Sequence, residues 1–191
     1  MYRIKNDKRT KRSVERITKS LTECLDKKPL AEIGVAEIAK GAGVSRATFY
    51  RIFDSPLDVL DYLCKTLTQE LEVSMSQLMA EKDADYTLHA ISFLINHAES
   101  HKAIFRSGRM DLLENSVRPR IELILPPSEK LLSETEMDYV KYSVAAILMA
   151  VLYVWYQHGC KESESELASV YNKISNVRYN YYSETPPKTV H

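Results

Sequence analysis

The chain has 191 residues, 45% apolar and 27% charged, enough for one sizeable core or for a small domain plus a medium one. Five glycines and seven prolines are too few for an all-β protein with its many tight turns, so a mostly helical chain is expected. The formal net charge of zero hides a division: residues 1–55 hold 13 Lys/Arg against 7 Asp/Glu, and residues 56–191 hold 13 against 19. A basic head on an acidic body points to a polyanion met by the head alone.

Cys24, Cys64 and Cys160 are odd in number and widely spaced, with no CxxC pair and no Cys/His cluster. They read as reduced thiols of a cytoplasmic protein and not as a disulfide framework. The N-terminus is charged where a signal peptide needs an apolar stretch. The longest apolar run, Val144 to Tyr156, is short for a bilayer span and reads as a buried helix.

In chain order, Val14, Ile17, Leu21 and Leu25 predict a first helix from about Asp7 to Lys27, stopped before Pro29. Two short helices follow within residues 34–53. Ser55-Pro-Leu-Asp58 starts a long helix whose stripe is Leu60, Leu63, Leu67 and Leu71 and which reaches about Met79. A helix from Tyr86 to about Ser100 turns Leu88, Ile91, Leu94 and Ile95 inward, and a short one over Lys102–Arg106 ends at Gly108. Residues 111–125 are amphipathic but broken by Pro119, with Leu125-Pro-Pro127 ending them. Ser133-Glu-Thr-Glu136 is a capping box opening a helix to His158, closed by Gly159. Ser163-Glu-Ser-Glu166 is a second one, opening a last helix to about Arg178, and the tail from about Ser183 is expected to be disordered.

Residues 34–53 meet the physical requirements of a helix-turn-helix. Ile38, Ala42, Val44, Phe49 and Ile52 supply the apolar contacts that hold its two helices together and on helix one. Ala39 is small where the second helix crosses, and Gly43 suits the positive φ of the turn. Ser45 caps the second helix and aims a hydroxyl and free N–H groups outward. That leaves Arg46, Ala47, Thr48, Tyr50 and Arg51 on the outer face. Arg46 and Arg51 can donate paired hydrogen bonds to guanine edges or a single one to phosphate, and Ala47 can meet a thymine methyl. Thr48 and Tyr50 can bond the phosphodiester backbone. Lys8, Arg9 and Arg12, with Arg3, Lys5 and Lys11, form a basic arm that adds salt-sensitive attraction and could enter the minor groove.

Gly34 to Leu60 closely resembles the DNA-binding region of the tetracycline-repressor (TetR/AcrR) family of transcriptional regulators. The resemblance lies in Val35, Ile38, Ala39, Gly43, Val44, Ser45, Thr48, Phe49, Tyr50, Phe53 and Leu60. It implies an all-α fold: an N-terminal three-helix helix-turn-helix DNA-binding domain joined by a long fourth helix to a helical ligand-binding and dimerisation domain. Accordingly residues 1–54 are assigned to the DNA-binding domain, 55–182 to the effector-binding and dimerisation domain, and 183–191 to the tail. Three positions depart from the family pattern: Pro56 replaces a lysine, Ile52 replaces a His, Tyr or Asn, and Gly34 replaces a capping Thr or Ser. Each removes a phosphate contact and shifts the load to Tyr50, Thr48 and the arm.

The helix over 134–158 is apolar on every side from Val144 to Tyr156, so every side must be covered. One face would pack inward. The other, through Val144, Leu148 and Val151, would join Leu167, Val170, Tyr171 and Ile174 in an intersubunit four-helix bundle. A two-fold homodimer would then present two recognition helices to a pseudo-palindromic operator in double-stranded DNA. Phe93, His97, Phe105, Met110, Tyr142, Met149, Tyr153 and Trp155 are candidate walls of an effector pocket, although such a stripe at helical spacing is more often plain core. His97 and His101 lie four apart without a third ligand, so no metal and no cofactor is expected. No nucleophile triad, paired acids or phosphate loop points to an enzyme. Two readings stand: a repressor released from DNA by a small-molecule effector, and a DNA-binding regulator whose body only dimerises or contacts other proteins.

Overall fold

The computed structural model describes residues 2–4, 7–78, 85–123 and 133–183, and all regular structure among them is helical. The order is α1 (Lys8–Leu25), a 3₁₀ turn (Leu30–Glu32), α2 (Val35–Gly41), α3 (Arg46–Ile52), α4 (Pro56–Leu78), α5 (Tyr86–Asn96), α6 (Ala98–Ser107), α7 (Met110–Val117), a second 3₁₀ turn (Arg118–Leu123), α8 (Glu134–Gln157) and α9 (Glu164–Ser183). Leu125-Pro-Pro127 and the tail beyond Ser183 lie outside the described residues.

The chain packs as two units that are not contiguous in sequence: Met1–Glu70 with His97–Ser116, and Leu71–Asn96 with Val117–His191. In the first, α1 starts at Asp7, whose carboxylate accepts from the Thr10 N–H at 2.8 Å and from its hydroxyl at 2.7 Å. The stripe Val14, Ile17, Leu21, Cys24 and Leu25 is buried. α1 stops at Leu25, short of the expected Lys27, because the N–H groups of Lys27 and Lys28 both turn back onto the Cys24 carbonyl. Ile38 and Ala39 of α2, Phe49 and Ile52 of α3, and Val59, Leu60, Cys64 and Leu67 of α4 are all buried in this unit. α6 packs on α1, where the Arg106 guanidinium pairs with Asp26.

The single helix expected from Tyr86 to Ser100 is two. His97 leaves helical geometry (φ −103°, ψ 26°), and its carbonyl then accepts from Ser100 and His101 as α6 begins. α6 closes on Gly108 in the left-handed region, as predicted. The expected break at Pro119 is a change of winding, from α to 3₁₀ at Arg118.

In the second unit α9 packs on α5 and α8, and the second 3₁₀ turn packs on α8. Ser74 and His89 share a 2.7 Å hydrogen bond, Ser92 donates to Glu164 at 2.6 Å, and Arg120 pairs with Glu72 at 2.9 Å. The capping box of α8 is present, with the Ser133 side chain taking the Glu136 N–H and the Glu136 side chain taking the Ser133 N–H. One face of α8 is buried through Ala145, Leu148, Met149, Val151, Leu152 and Trp155, whose indole N–H donates to the Glu162 carbonyl at 3.2 Å. The opposite face is not covered: Tyr142, Tyr153 and Val154 are exposed, so burial on all sides does not occur within one chain. At 24 residues α8 is also long and apolar enough, by length and composition alone, to cross a membrane, although the run Val144–Tyr156 read as too short.

Candidate DNA interface

The helix-turn-helix forms from local causes. α2 begins at Gly34 with no side-chain cap. It ends where the Val44 N–H reaches back to the Ala39 carbonyl at 2.9 Å and Gly43 takes φ +61°. α2 lies close on α1 at one point that the sequence reading missed. A side chain on Gly41 would meet the Ser20 hydroxyl at 2.3 Å, and that buried hydroxyl donates to the Ile38 carbonyl at 3.0 Å.

Ser45 caps α3, its side chain accepting from the Thr48 N–H at 3.0 Å, and the two hydroxyls lie 3.0 Å apart. Phe49 and Ile52 fill the core side of α3, while Arg46, Ala47, Tyr50 and Arg51 are exposed and Thr48 is half-buried. Tyr50 is held by edge-on packing on Phe49, with ring centroids 5.8 Å apart.

Beside the start of α3 lies an open cleft of about 930 Å³ that brings Lys8, Arg9 and Arg12 of α1 together with Ser45 and Thr48. Arg16 lines it as well, with Glu15 the one acid among the lining residues. None of these four cations is paired with an acid among the described residues, so the cleft is strongly positive. Arg16 was not among the predicted residues. Its spacing could have found it, since Lys8, Arg12 and Arg16 repeat every four residues on one helix face. The expected arm is corrected: Lys8, Arg9, Lys11 and Arg12 are helical residues of α1. Arg3 is folded back on the end of α3, donating its N–H to the Ile52 carbonyl at 2.8 Å. Lys5 lies outside the described residues.

Residues 17–62, which span the second half of α1, then α2, the turn, α3 and the start of α4, match the family model of bacterial regulatory proteins, tetR family. Over those residues the chain is similar to the N-terminal domain of the tetR family. The HTH-type transcriptional regulator EthR of Mycobacterium tuberculosis is 37% identical over 90 residues, which are 44% of this chain and 41% of EthR. The chain thus matches about two fifths of the length of that relative, which is named as a regulator and not an enzyme. Among solved structures, a fatty acid degradation regulator FadR from Bacillus halodurans is similar with TM-score 0.65 and 17% identity, covering 85% of this chain and 93% of its own. FadR from Thermus thermophilus, a TetR-family repressor in complex with lauroyl-CoA, is similar with TM-score 0.50 and 17% identity, covering 84% and 92%. These likenesses show a shared fold over 84–85% of the chain.

The candidate pocket residues are dispersed. His97, Phe105 and Met110 belong to the first unit, and Phe93, Tyr142, Met149, Tyr153 and Trp155 to the second. Phe105, Met149 and Trp155 are buried, Phe93, His97 and Met110 are half-buried, and Tyr142 and Tyr153 are exposed. Tyr142 instead carries the Arg118 guanidinium 3.9 Å above its ring. A cavity within the second unit, walled by Leu71, Met75, Ala90, Val117, Ile121 and Leu148 with Glu72 and Arg120 at its edge, includes none of the eight and has a volume of about 10 Å³. Of the candidate dimer residues, Leu148, Val151, Leu167 and Tyr171 are buried within the chain and Val144 is half-buried. Val170 and Ile174 are exposed.

Proposed function

We propose that the chain is a cytoplasmic, homodimeric transcriptional repressor that binds a pseudo-palindromic operator in double-stranded DNA and leaves it when a small molecule binds the helical body. The carrying observation is the positive cleft against the cap of α3, next to an outer face of Arg46, Ala47, Tyr50 and Arg51. In this reading residues 1–54 bind DNA and 55–182 dimerise and hold the effector. The cleft takes phosphates through Lys8, Arg9 and Arg12, aided by the Ser45 and Thr48 hydroxyls. α3 enters the major groove, where Arg46 and Arg51 read guanine and Tyr50 fixes register.

Replacing Arg46 by Ala together with Tyr50 by Phe tests the reading face. Gel-shift titration on a duplex selected by the wild-type protein from a random library should show at least about a tenfold loss, the scale of one bidentate base contact. Unchanged binding would remove α3 as the reading element. Effector release is tested first with lauroyl-CoA, because that is what the Thermus thermophilus neighbour holds. Loss of the gel-shifted band on its addition is the expected result.

A second reading, a DNA-binding regulator whose body only dimerises or contacts other proteins, is favoured by one observation. The cavity of the second unit, at about 10 Å³, has room for about one water. An effector there requires the surrounding helices to open.

A further inference from the structure

The recognition helix is held at its far end by a segment that lies outside the helix-turn-helix. α3 has only seven residues, and its last carbonyls have no partner within the helix. The Arg3 N–H fills one of these vacancies, donating to the Ile52 carbonyl at 2.8 Å, and the Arg3 guanidinium lies 3.4 Å from Asp54 in the loop that follows. One residue earlier, the Tyr2 ring packs against Phe53 at 6.0 Å and edge-on against Tyr62 of α4 at 5.4 Å. The Lys65 ammonium, one turn further along α4, lies 5.5 Å from the Tyr2 ring centre. Phe53 and Tyr62 are themselves 5.8 Å apart, so Tyr2 completes a three-ring cluster spanning the α3–α4 corner.

These bonds have a common effect. Asp54 and Ser55, between the two helices, are held locally by Asp58: its carboxylate takes the Asp54 N–H at 3.2 Å and the Ser55 hydroxyl at 3.3 Å. That fixes the loop to α4, and the direct Phe53–Tyr62 ring contact ties the end of α3 to it. Tyr2 and Arg3 add a second tie, the first by ring packing on both of those rings and the second by bonds to Ile52 and Asp54.

We propose that Tyr2 and Arg3 form a strap that sets the orientation of α3 on α4, making them positioning residues for base readout without being base contacts. The proposal rests on the reading of α3 as the recognition helix. A misaimed α3 loses base-edge bonds, which need fixed geometry, but keeps the attraction of the cleft for phosphates, which does not.

Tyr2→Ala, Tyr2→Phe and Arg3→Ala are made in the full chain. Each is titrated by fluorescence anisotropy against the library-selected duplex and against a random-sequence duplex, over a series of salt concentrations. Tyr2→Ala and Arg3→Ala should bind the selected duplex about tenfold more weakly, the scale of one lost bidentate contact. Binding to the random duplex should stay within about twofold and the salt slope should not change. Tyr2→Phe keeps the ring packing and should bind as the wild type does. A loss on both duplexes with the salt slope reduced by about 0.9 would make Arg3 a phosphate contact and overturn the strap. Unchanged binding to the selected duplex would overturn it too. Amide hydrogen exchange without DNA gives an independent readout: Tyr2→Ala should speed exchange at residues 50–54 and leave the middle of α1 protected. If the wild type selects no duplex, the DNA reading fails, and this exchange measurement alone decides the strap, with unchanged rates overturning it.

Discussion

Gly43 turns the chain between α2 and α3 at φ +61°, and the space beside it is not crowded: the nearest atom to an added side chain would be an Arg16 guanidinium nitrogen at 3.7 Å. Gly43→Ala therefore pays for conformation and not for collision. Forcing an L residue into the left-handed region costs about 1–2 kcal/mol, partly offset by the smaller entropy of the unfolded chain. A net loss of about 1 kcal/mol should lower the melting temperature by about 2–4 °C in a chain of this size, read by thermal circular dichroism. Gly43→Asn should lose less, because asparagine tolerates that region. A second prediction concerns Cys64, a wholly buried residue of α4. Burial, reinforced by the charges of Asp61 and Asp111, pushes its thiol up to about 12. The folded state therefore holds a proton that the unfolded state releases from about pH 9, the ordinary thiol value. Stability from this source is complete below pH 9 and is lost as the pH rises towards 12. Denaturant midpoints measured from pH 8 to 11 should fall on the alkaline side, and should fall less steeply in Cys64→Val.

At the scale of elements, what could be read from sequence depended on how local the cause was. The caps at Ser45, Ser133 and the stops at Gly108 and Gly159 involve residues a few positions apart, and each stands where the pattern put it. The face Arg46, Ala47, Tyr50 and Arg51 followed by subtraction once Phe49 and Ile52 were assigned to the core. The break at His97 and the fold-back of Arg3 were not legible, because they depend on packing and on partners such as Ile52, 49 positions away from Arg3. The contact of Gly41 with Ser20 was hidden for the same reason. Where the cause is local, its energy is testable. Ser133→Ala removes the hydroxyl that takes the Glu136 N–H and should cost about 1 kcal/mol. The bonds from the Ser133 hydroxyl and N–H hold the Glu136 carboxyl below its ordinary range. The cap's contribution is therefore present at neutral pH and fades as the pH falls through that lowered value. Hydrogen exchange in the first turn of α8 should rise in Ser133→Ala at neutral pH, with the difference from wild type shrinking in acid.

For the molecule as a whole, the unresolved demand is the outer face of α8 and α9. Tyr139, Tyr142, Tyr153 and Val154 of α8, with Val170 and Ile174 of α9, are all exposed large apolar residues. On α8 they recur at helical spacing, with Ala146 and Ala150 exposed between them, so they form one stripe. A bilayer could cover such a stripe, but lipid would also have to accept the first turns of the helix, which carry Glu134, Glu136, Asp138 and Lys141. A second copy would cover it without that cost, because small residues between large ones would let two such stripes interlock about a two-fold axis. Val154 and Val170 are 49% and 42% exposed, so lysines there are tolerated by the single chain and place like charges across an isologous contact. Val154→Lys with Val170→Lys should therefore sediment as a monomer where the wild type sediments as a dimer, with helicity unchanged by circular dichroism. Operator affinity should fall with it, since a monomer presents one recognition helix to a two-half-site duplex and loses the effective concentration that the second brings. A double variant that stays dimeric would move the interface away from this face, and a wild type that sediments as a monomer would end the dimer reading itself.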